Sequence, residues 1–334
     1  MPHNFIRPLS RWVSAYALAA MAALSGGAPA ADGSAQRVLR LGTIGVAPTF
    51  SGPPAGVIPA LAKLGYVEGK NLTIEYRRTD GDPDHLGEAI ADLVRSRVDI
   101  ILAVANTQAF LAKRATTTIP IVVWGMHGAL DTGLVSNLQR PGGNLTGTES
   151  LAPEIDAKRV ELLRQLIPDV RHIAAVYDAG DQGSAVHLRF AQMAGQSLGI
   201  RVSPVEVRRK EDFASALLDA RRNQLDGLLI FTSPLTVISW DEIRKFSVAH
   251  GIPTVCEWRL LTVNGCLVSY GPRIAEYSER NAAQIDKIFR GASAGDLPVE
   301  QMTKFELIIN ETAARTFGIT LPRSVLMRAD EVIP

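Results

Sequence analysis

From residue 38 onward the chain alternates short β-branched apolar runs with longer stretches of helical period. The runs cover residues 38–44, 72–76, 100–104, 119–123, 173–177, 202–207, 227–231, 254–256 and 267–270. They are continuously apolar, the pattern of strands buried on both faces of a parallel sheet. Asp82-Pro83 reads as an N-cap followed by Pro at the first helical position. Leu86, Ile90, Leu93 and Val94 supply that helix's apolar stripe. Ser239-Trp240-Asp241-Glu242 reads as a capping box opening another helix. One run departs: Phe305, Leu307 and Ile309 alternate with Lys304, Glu306 and Asn310, as in a half-buried strand with a solvated face.

Strand–helix–strand repetition implies α/β layers joined by right-handed crossovers. The two halves also resemble each other. Leu64-Gly65-Tyr66 precedes one strand, and Val98-Asp99-Ile100 opens the next after a helix. Leu198-Gly199-Ile200 and Leu225-Asp226-Gly227 repeat that order. The expected architecture is two Rossmann-like α/β lobes with parallel-sheet cores and a ligand cleft between them. The join is placed near Gly142-Gly143-Asn144. The expected division is 37–146 with 272–305 for the N-terminal lobe, and 147–271 with 306–334 for the C-terminal lobe.

The start of the chain changes the picture of where it works. Arg7 and Arg11 precede an apolar stretch from Trp12 to Leu24 and an Ala28-Pro29-Ala30 end, and no Lys or Arg recurs until Arg37. This is the form of a secretory signal peptide over residues 1–31, cleaved near Ala30/Ala31. Export to the periplasm is expected. Of 334 residues, 46% are hydrophobic and 21% charged, which excludes a disordered chain. Thirty-five basic against 34 acidic residues leave no electrostatic footprint for nucleic acid or an anionic membrane. The 2 cysteines, Cys256 and Cys266, are too few for a disulfide scaffold. A single bridge between them stays open, although parallel strands would put the sulfurs at opposite edges of the sheet.

Catalytic signatures are missing. There is no phosphate-cradling P-loop, no G-x-S-x-G elbow and no G-x-G-x-x-G. The histidines (His3, His85, His127, His172, His187 and His250) include no pair at the spacing of a helical metal site, so neither a metal nor another cofactor is expected. Carboxylate pairs such as Asp178/Asp181 could serve acid–base work, whereas Asp241/Glu242 suit a helix first turn. The expectation is a binder and not an enzyme.

Several long segments carry a resemblance: LAKLGYVEGKNLTIEYR (61–77), AKRATTTIPIV (112–122), LQRPGGNLTG (138–147), KRVELL (158–163), LVSYGP (267–272), DLPVEQMTKFELIIN (296–310) and RADEVI (328–333). Together they resemble the ABC-transporter substrate-binding family of tryptophan/tyrosine type, over essentially the whole chain from Arg37. The resemblance implies a fold like type 1 periplasmic binding proteins and a monomeric receptor that closes on a small molecule. It also implies delivery to an ABC permease in the inner membrane. A departure is local: family members commonly continue IPIVVW with a Gly-Asp-Pro turn, where this chain has Gly125-Met126-His127-Gly128. An exported sensor for a membrane partner would use the same closed form, and an α/β enzyme with an unrecognised site is the remaining alternative.

A receptor places binding groups on strand ends and helix N-termini. Asn106, Thr107 and Gln108 open a helix whose orphan N–H groups suit a carboxylate; Asn106 serves equally as a cap facing water. Trp124 and His127 would face the cleft from the first lobe. In the second, Tyr177 and Asp178 end a strand and Ser184 begins the next helix. Asp178 suits an ammonium group or an Asx turn with Gly180. Thr232, Glu257 and Trp258 end further strands: a donor or local cap, an ammonium partner, and a stacking or packing ring. Tyr270 reads as hinge or wall.

Overall fold

The computed structural model describes residues 37–45, 54, 56–79 and 83–334. The expected signal peptide and Asp82 lie outside the described residues. The chain runs through β1 (Leu39–Gly45), α1 (Val57–Lys63), β2 (Leu72–Arg78), α2 (Leu86–Arg95), β3 (Ile100–Val104), α3 (Ala105–Ala115), β4 (Ile121–His127) and β5 (Leu145–Ser150). It then passes to α4 (Ala152–Leu166), β6 (His172–Asp178), α5 (Gln182–Leu198), β7 (Arg201–Val207), α6 (Asp212–Arg221), β8 (Gly227–Ile230), α7 (Pro234–Ile238), α8 (Trp240–His250), β9 (Thr254–Cys256), α9 (Arg259–Val263) and β10 (Val268–Pro272). The remainder is α10 (Ile274–Phe289), β11 (Glu300–Gln301), β12 (Phe305–Asn310), α11 (Glu311–Thr316), α12 (Arg323–Leu326) and β13 (Glu331–Ile333).

Two sheets result, in the orders β11-β5-β4-β3-β1-β2 and β13-β12-β10-β9-β8-β6-β7. The repeat seen in sequence is a repeat of topology, since β2-β1-β3-β4-β5 and β7-β6-β8-β9-β10 have the same order. All pairings in the first sheet are parallel. In the second, β12 runs antiparallel to β10 and β13 follows β12. Burial on both faces explains the continuous apolar runs. Ile101 and Ala103 of β3 enter one core, while Ile100 and Leu102 enter the other. In β8, Leu228 and Ile230 enter one core and Leu229 the opposite one. Each of the Ile and Leu side chains contributes about 1.5–3 kcal/mol relative to exposure.

Local expectations are revised in several places. The cut at 146/147 falls inside β5, which pairs with β4 through Ser150, and the cut at 305/306 falls inside β12. The Gly142-Gly143 turn is within the first lobe: Gly142 N–H donates to the Gly295 carbonyl at 3.0 Å. The chain changes sheets after β5, after β10 and between β11 and β12. β12 is not half-solvated, because β10 and β13 flank it and Leu307 to Asn310 are buried. Asn310 caps α11, accepting from the Ala313 N–H at 2.7 Å. α8 starts after Ser239 as expected, yet the Ser239 hydroxyl makes no capping bond. The capping box lies one helix earlier, between Ser233 and Thr236. Cys256 and Cys266 are joined as a disulfide with their Cα atoms 6.6 Å apart. Parallel pairing does not separate them, because Cys266 sits before β10, in the turn where α9 brings the chain back beside β9.

Candidate functional site

Strand ends from both sheets converge on a cavity of about 200 Å³. Ile44 of β1, Val104 of β3 and Trp124 of β4 wall it from the first lobe; Thr232, Val237 and Trp258 wall it from the second. Carboxyl ends of parallel strands are where open α/β sheets bind ligands. Most of the lining is apolar, and a dry cavity of about 150 Å³ already takes a benzene ring.

Two tryptophans meet across the lobes. The Trp124 and Trp258 ring centroids are 5.5 Å apart at 79°, an edge-to-face pair. Trp124 is fixed from behind by Tyr277, at 5.0 Å, and by the Ser278 hydroxyl, 3.5 Å from its indole N–H. The Trp258 indole N–H is buried without a partner. Gln108 is half satisfied in the same way. Its Oε1 accepts from the Val104 N–H at 2.9 Å, while its buried Nε2 has no partner. An unpaired buried donor costs about 1–3 kcal/mol, so these two are poised for an acceptor. Ala105, at the head of α3 and in the lining, has φ 57°, a conformation an alanine adopts only under strain.

Of the sequence-derived residues, Gln108, Trp124, His127, Thr232 and Trp258 line this cavity. The others do different work. Asn106 is spent on His127, donating to its carbonyl at 2.8 Å and accepting from its N–H at 3.0 Å. The Thr107 hydroxyl reaches across the lobes to the Gly180 carbonyl and Asp181 Oδ1, each at 3.3 Å. Ser184 is held by Asp181, the cap of α5, whose Oδ2 accepts from its N–H at 2.9 Å. Tyr177 faces an outer groove and donates to Glu206 at 3.1 Å. Asp178 forms the Asx turn, accepting from the Gly180 N–H at 2.8 Å. Burial pushes its carboxyl up to about 6, against the lowering effect of that bond. Tyr270 stacks on Phe305 and gives its carbonyl to Arg159 Nε at 2.9 Å.

Glu257 is outside the lining, 3.4 Å from the Arg159 guanidinium. It belongs to a buried chain of polar groups behind the cavity wall. The Ser150 hydroxyl lies 2.8 Å from His127 Nδ1, which lies 2.7 Å from His187 Nε2. His187 Nδ1 then donates to Asp156 Oδ2 at 2.7 Å, and Arg159 Nη1 donates to Asp156 Oδ1 at 3.1 Å. Burial would raise the Glu257 carboxyl, but Arg159 foremost, with the positive charge of the histidine pair, holds it below its usual range. Ligating atoms of His127, His187 and Glu257 lie within 4.8 Å of one another; a metal there would have to compete with the charge of Arg159. Sequence spacing could not reveal His187, Asp156 and Arg159, which meet only because α5 packs on α4.

A pair of α/β lobes around an apolar cavity, its walls offering rings and donors, defines a two-lobed small-molecule-binding protein with the type 1 periplasmic binding protein fold. Residues 48–333 match the family model for ABC transporter substrate binding proteins, and the chain belongs to that family. It is 25% identical over 288 residues to a tyrosine-binding protein of Clostridioides difficile, covering 86% of this chain and 83% of that one. A conserved domain protein of Vibrio cholerae superposes with a TM-score of 0.83 at 25% identity, over 89% of this chain and 100% of the other. The L-Trp complex of an ABC domain from Streptococcus pneumonia gives 0.81 at 23% identity, over 88% and 99%. The departure at Gly125–Gly128 falls on the cavity wall, at Gly125 and His127.

Proposed function

We propose that the cavity binds one small aromatic carboxylate, foremost an aromatic α-amino acid, and that the chain is the periplasmic, non-catalytic receptor of an ABC importer. It closes as a monomer and docks on a permease. The observation that carries this reading is the Trp124–Trp258 pair facing the same cavity as the unpartnered Gln108 Nε2 and Trp258 Nε1. Rings take the aromatic body, and the donors at the head of α3 take the carboxylate, favoured by the positive end of the helix dipole. The tyrosine-binding relative and the L-Trp complex support an aromatic amino acid.

A second reading drops the ammonium group. Among the described residues the lining contains no carboxylate, which favours an aromatic acid without an amine. A distant structural neighbour from Rhodopseudomonas palustris, 14% identical with a TM-score of 0.55, holds 3,4-dihydroxybenzoic acid.

A thermal-shift panel on the ligand-stripped protein separates the readings. L-tryptophan or L-tyrosine at 100 times its Kd adds about 2.7 kcal/mol of stability. Shifts with aromatic acids but none with the amino acids select the second reading. Shifts confined to sugars or nucleosides refute both.

A further inference from the structure

His127 both lines the cavity and enters the buried interlobe chain. It is 3% exposed at the end of β4, and His187, 1% exposed, comes from α5 of the other lobe. The bonding order fixes who donates. Asp156 Oδ2 accepts only, so His187 Nδ1 carries a proton. The charge count then decides the rest: buried Asp156 and Glu257 face one buried cation, Arg159, so one more positive charge balances the cluster. A proton on His187 supplies it, and a buried cluster is stable only when its charges are compensated. Both nitrogens of a protonated His187 donate, so Nε2–H points at His127 Nδ1 as acceptor. A neutral His127 with Nδ1 accepting carries its proton on Nε2, on the opposite side of the ring.

We propose that His127 is a fixed hydrogen-bond donor to an acceptor oxygen of the ligand, its tautomer set from the other lobe by His187 and Asp156. His187 and Asp156 are positioning residues: they touch no ligand and act through His127. Every group around the pair fits the assignment. Burial would lower His187, but Asp156 and then Glu257 raise it, against Arg159. Burial and the His187 charge lower His127, against the weaker pull of Glu257 and Asp181. Ser150 adds a neutral hydroxyl. The donor exists only with the lobes together, so it couples ligand recognition to closure. Because the closed form raises His187, binding is strongest at low and neutral pH and weakens as pH rises through the His187 titration.

The inference rests on the aromatic-carboxylate reading and is tested with L-tryptophan as probe. Affinity is measured against pH for the unmodified protein, Asp156→Asn, His187→Gln and His127→Phe. Histidine tautomers are read by long-range ¹H–¹⁵N NMR with and without L-tryptophan. Expected are an Nε2–H tautomer at His127, at least tenfold weaker binding in His127→Phe, and an alkaline limb moved to lower pH by Asp156→Asn. His187→Gln should abolish that limb. An Nδ1–H tautomer, or an alkaline limb unmoved in Asp156→Asn, overturns the proposal. Failure of L-tryptophan to bind overturns the ligand reading instead; the tautomer is then read in the 3,4-dihydroxybenzoate complex, where Nδ1–H overturns the His127 assignment.

Discussion

Gly183, in the first turn of α5, sits so close to His127 that a Cβ built on it would stand 2.7 Å from the His127 Cβ. No side chain is tolerated at that separation, so the contact between the lobes depends on a glycine there. Gly183→Val should leave each lobe's core intact and hold the lobes apart. Binding of L-tryptophan should weaken at least tenfold, and the small-angle scattering radius with saturating L-tryptophan should stay at the ligand-free value. A normal contraction on ligand addition would show that closure does not use this contact.

Trp124 and Trp258 should separate stability from binding. Trp124 is 5% exposed and packed in the first-lobe core, so Trp124→Ala should cost about 3–5 kcal/mol of stability. Trp258 is only half-buried. Trp258→Ala should lose about 2 kcal/mol or more of affinity for an aromatic ligand with little change in melting temperature. Calorimetry measures both.

Arg159 is fully buried between Asp156 and Glu257. Arg159→Met leaves Asp156 and Glu257 with only the protonated His187 to balance them, a loss of about 3–5 kcal/mol. Adding Glu257→Gln to that variant should recover part of the loss, because one of the stranded charges is gone. Urea unfolding of the single and double variants gives the coupling. Additive losses would mean that the two side chains do not interact.

Asp178 gives a pH signature. Its carboxyl is raised from 3.8 to about 6 in the folded protein, so the native state binds its proton more tightly than the unfolded chain. Its contribution to stability is therefore fully present below about pH 4 and falls as pH rises from about 4 to about 6. Asp178→Asn should remove that fall. The check is the difference between the stability–pH curves of the two proteins, which should be flat if Asp178 is unperturbed.

The fold was legible because two-sided burial writes itself as unbroken apolar runs, and because the β2-β1-β3-β4-β5 order is repeated as β7-β6-β8-β9-β10. The lobe boundary was harder to read. Gly142-Gly143 looks like a join, but turn chemistry does not say which sheet the next strand enters. At the site, Trp124, His127, Thr232 and Trp258 could be picked out because residues at or just past the carboxyl ends of parallel strands face the cleft. Asp178 and Glu257 satisfy the same rule yet turn away, drawn by Gly180 and Arg159. That choice belongs to side-chain neighbours which only the folded chain assembles.

The central claim is that this cavity takes one aromatic carboxylate against the wall formed by Trp124 and Trp258. Isothermal titration of the ligand-stripped protein with L-tryptophan, L-tyrosine and 3,4-dihydroxybenzoate tests it most directly. The account predicts one site per chain for at least one of the three, a negative heat-capacity change from apolar burial, and loss of the signal in Trp258→Ala. Absence of heat with all three, or an undiminished signal in Trp258→Ala, would contradict it.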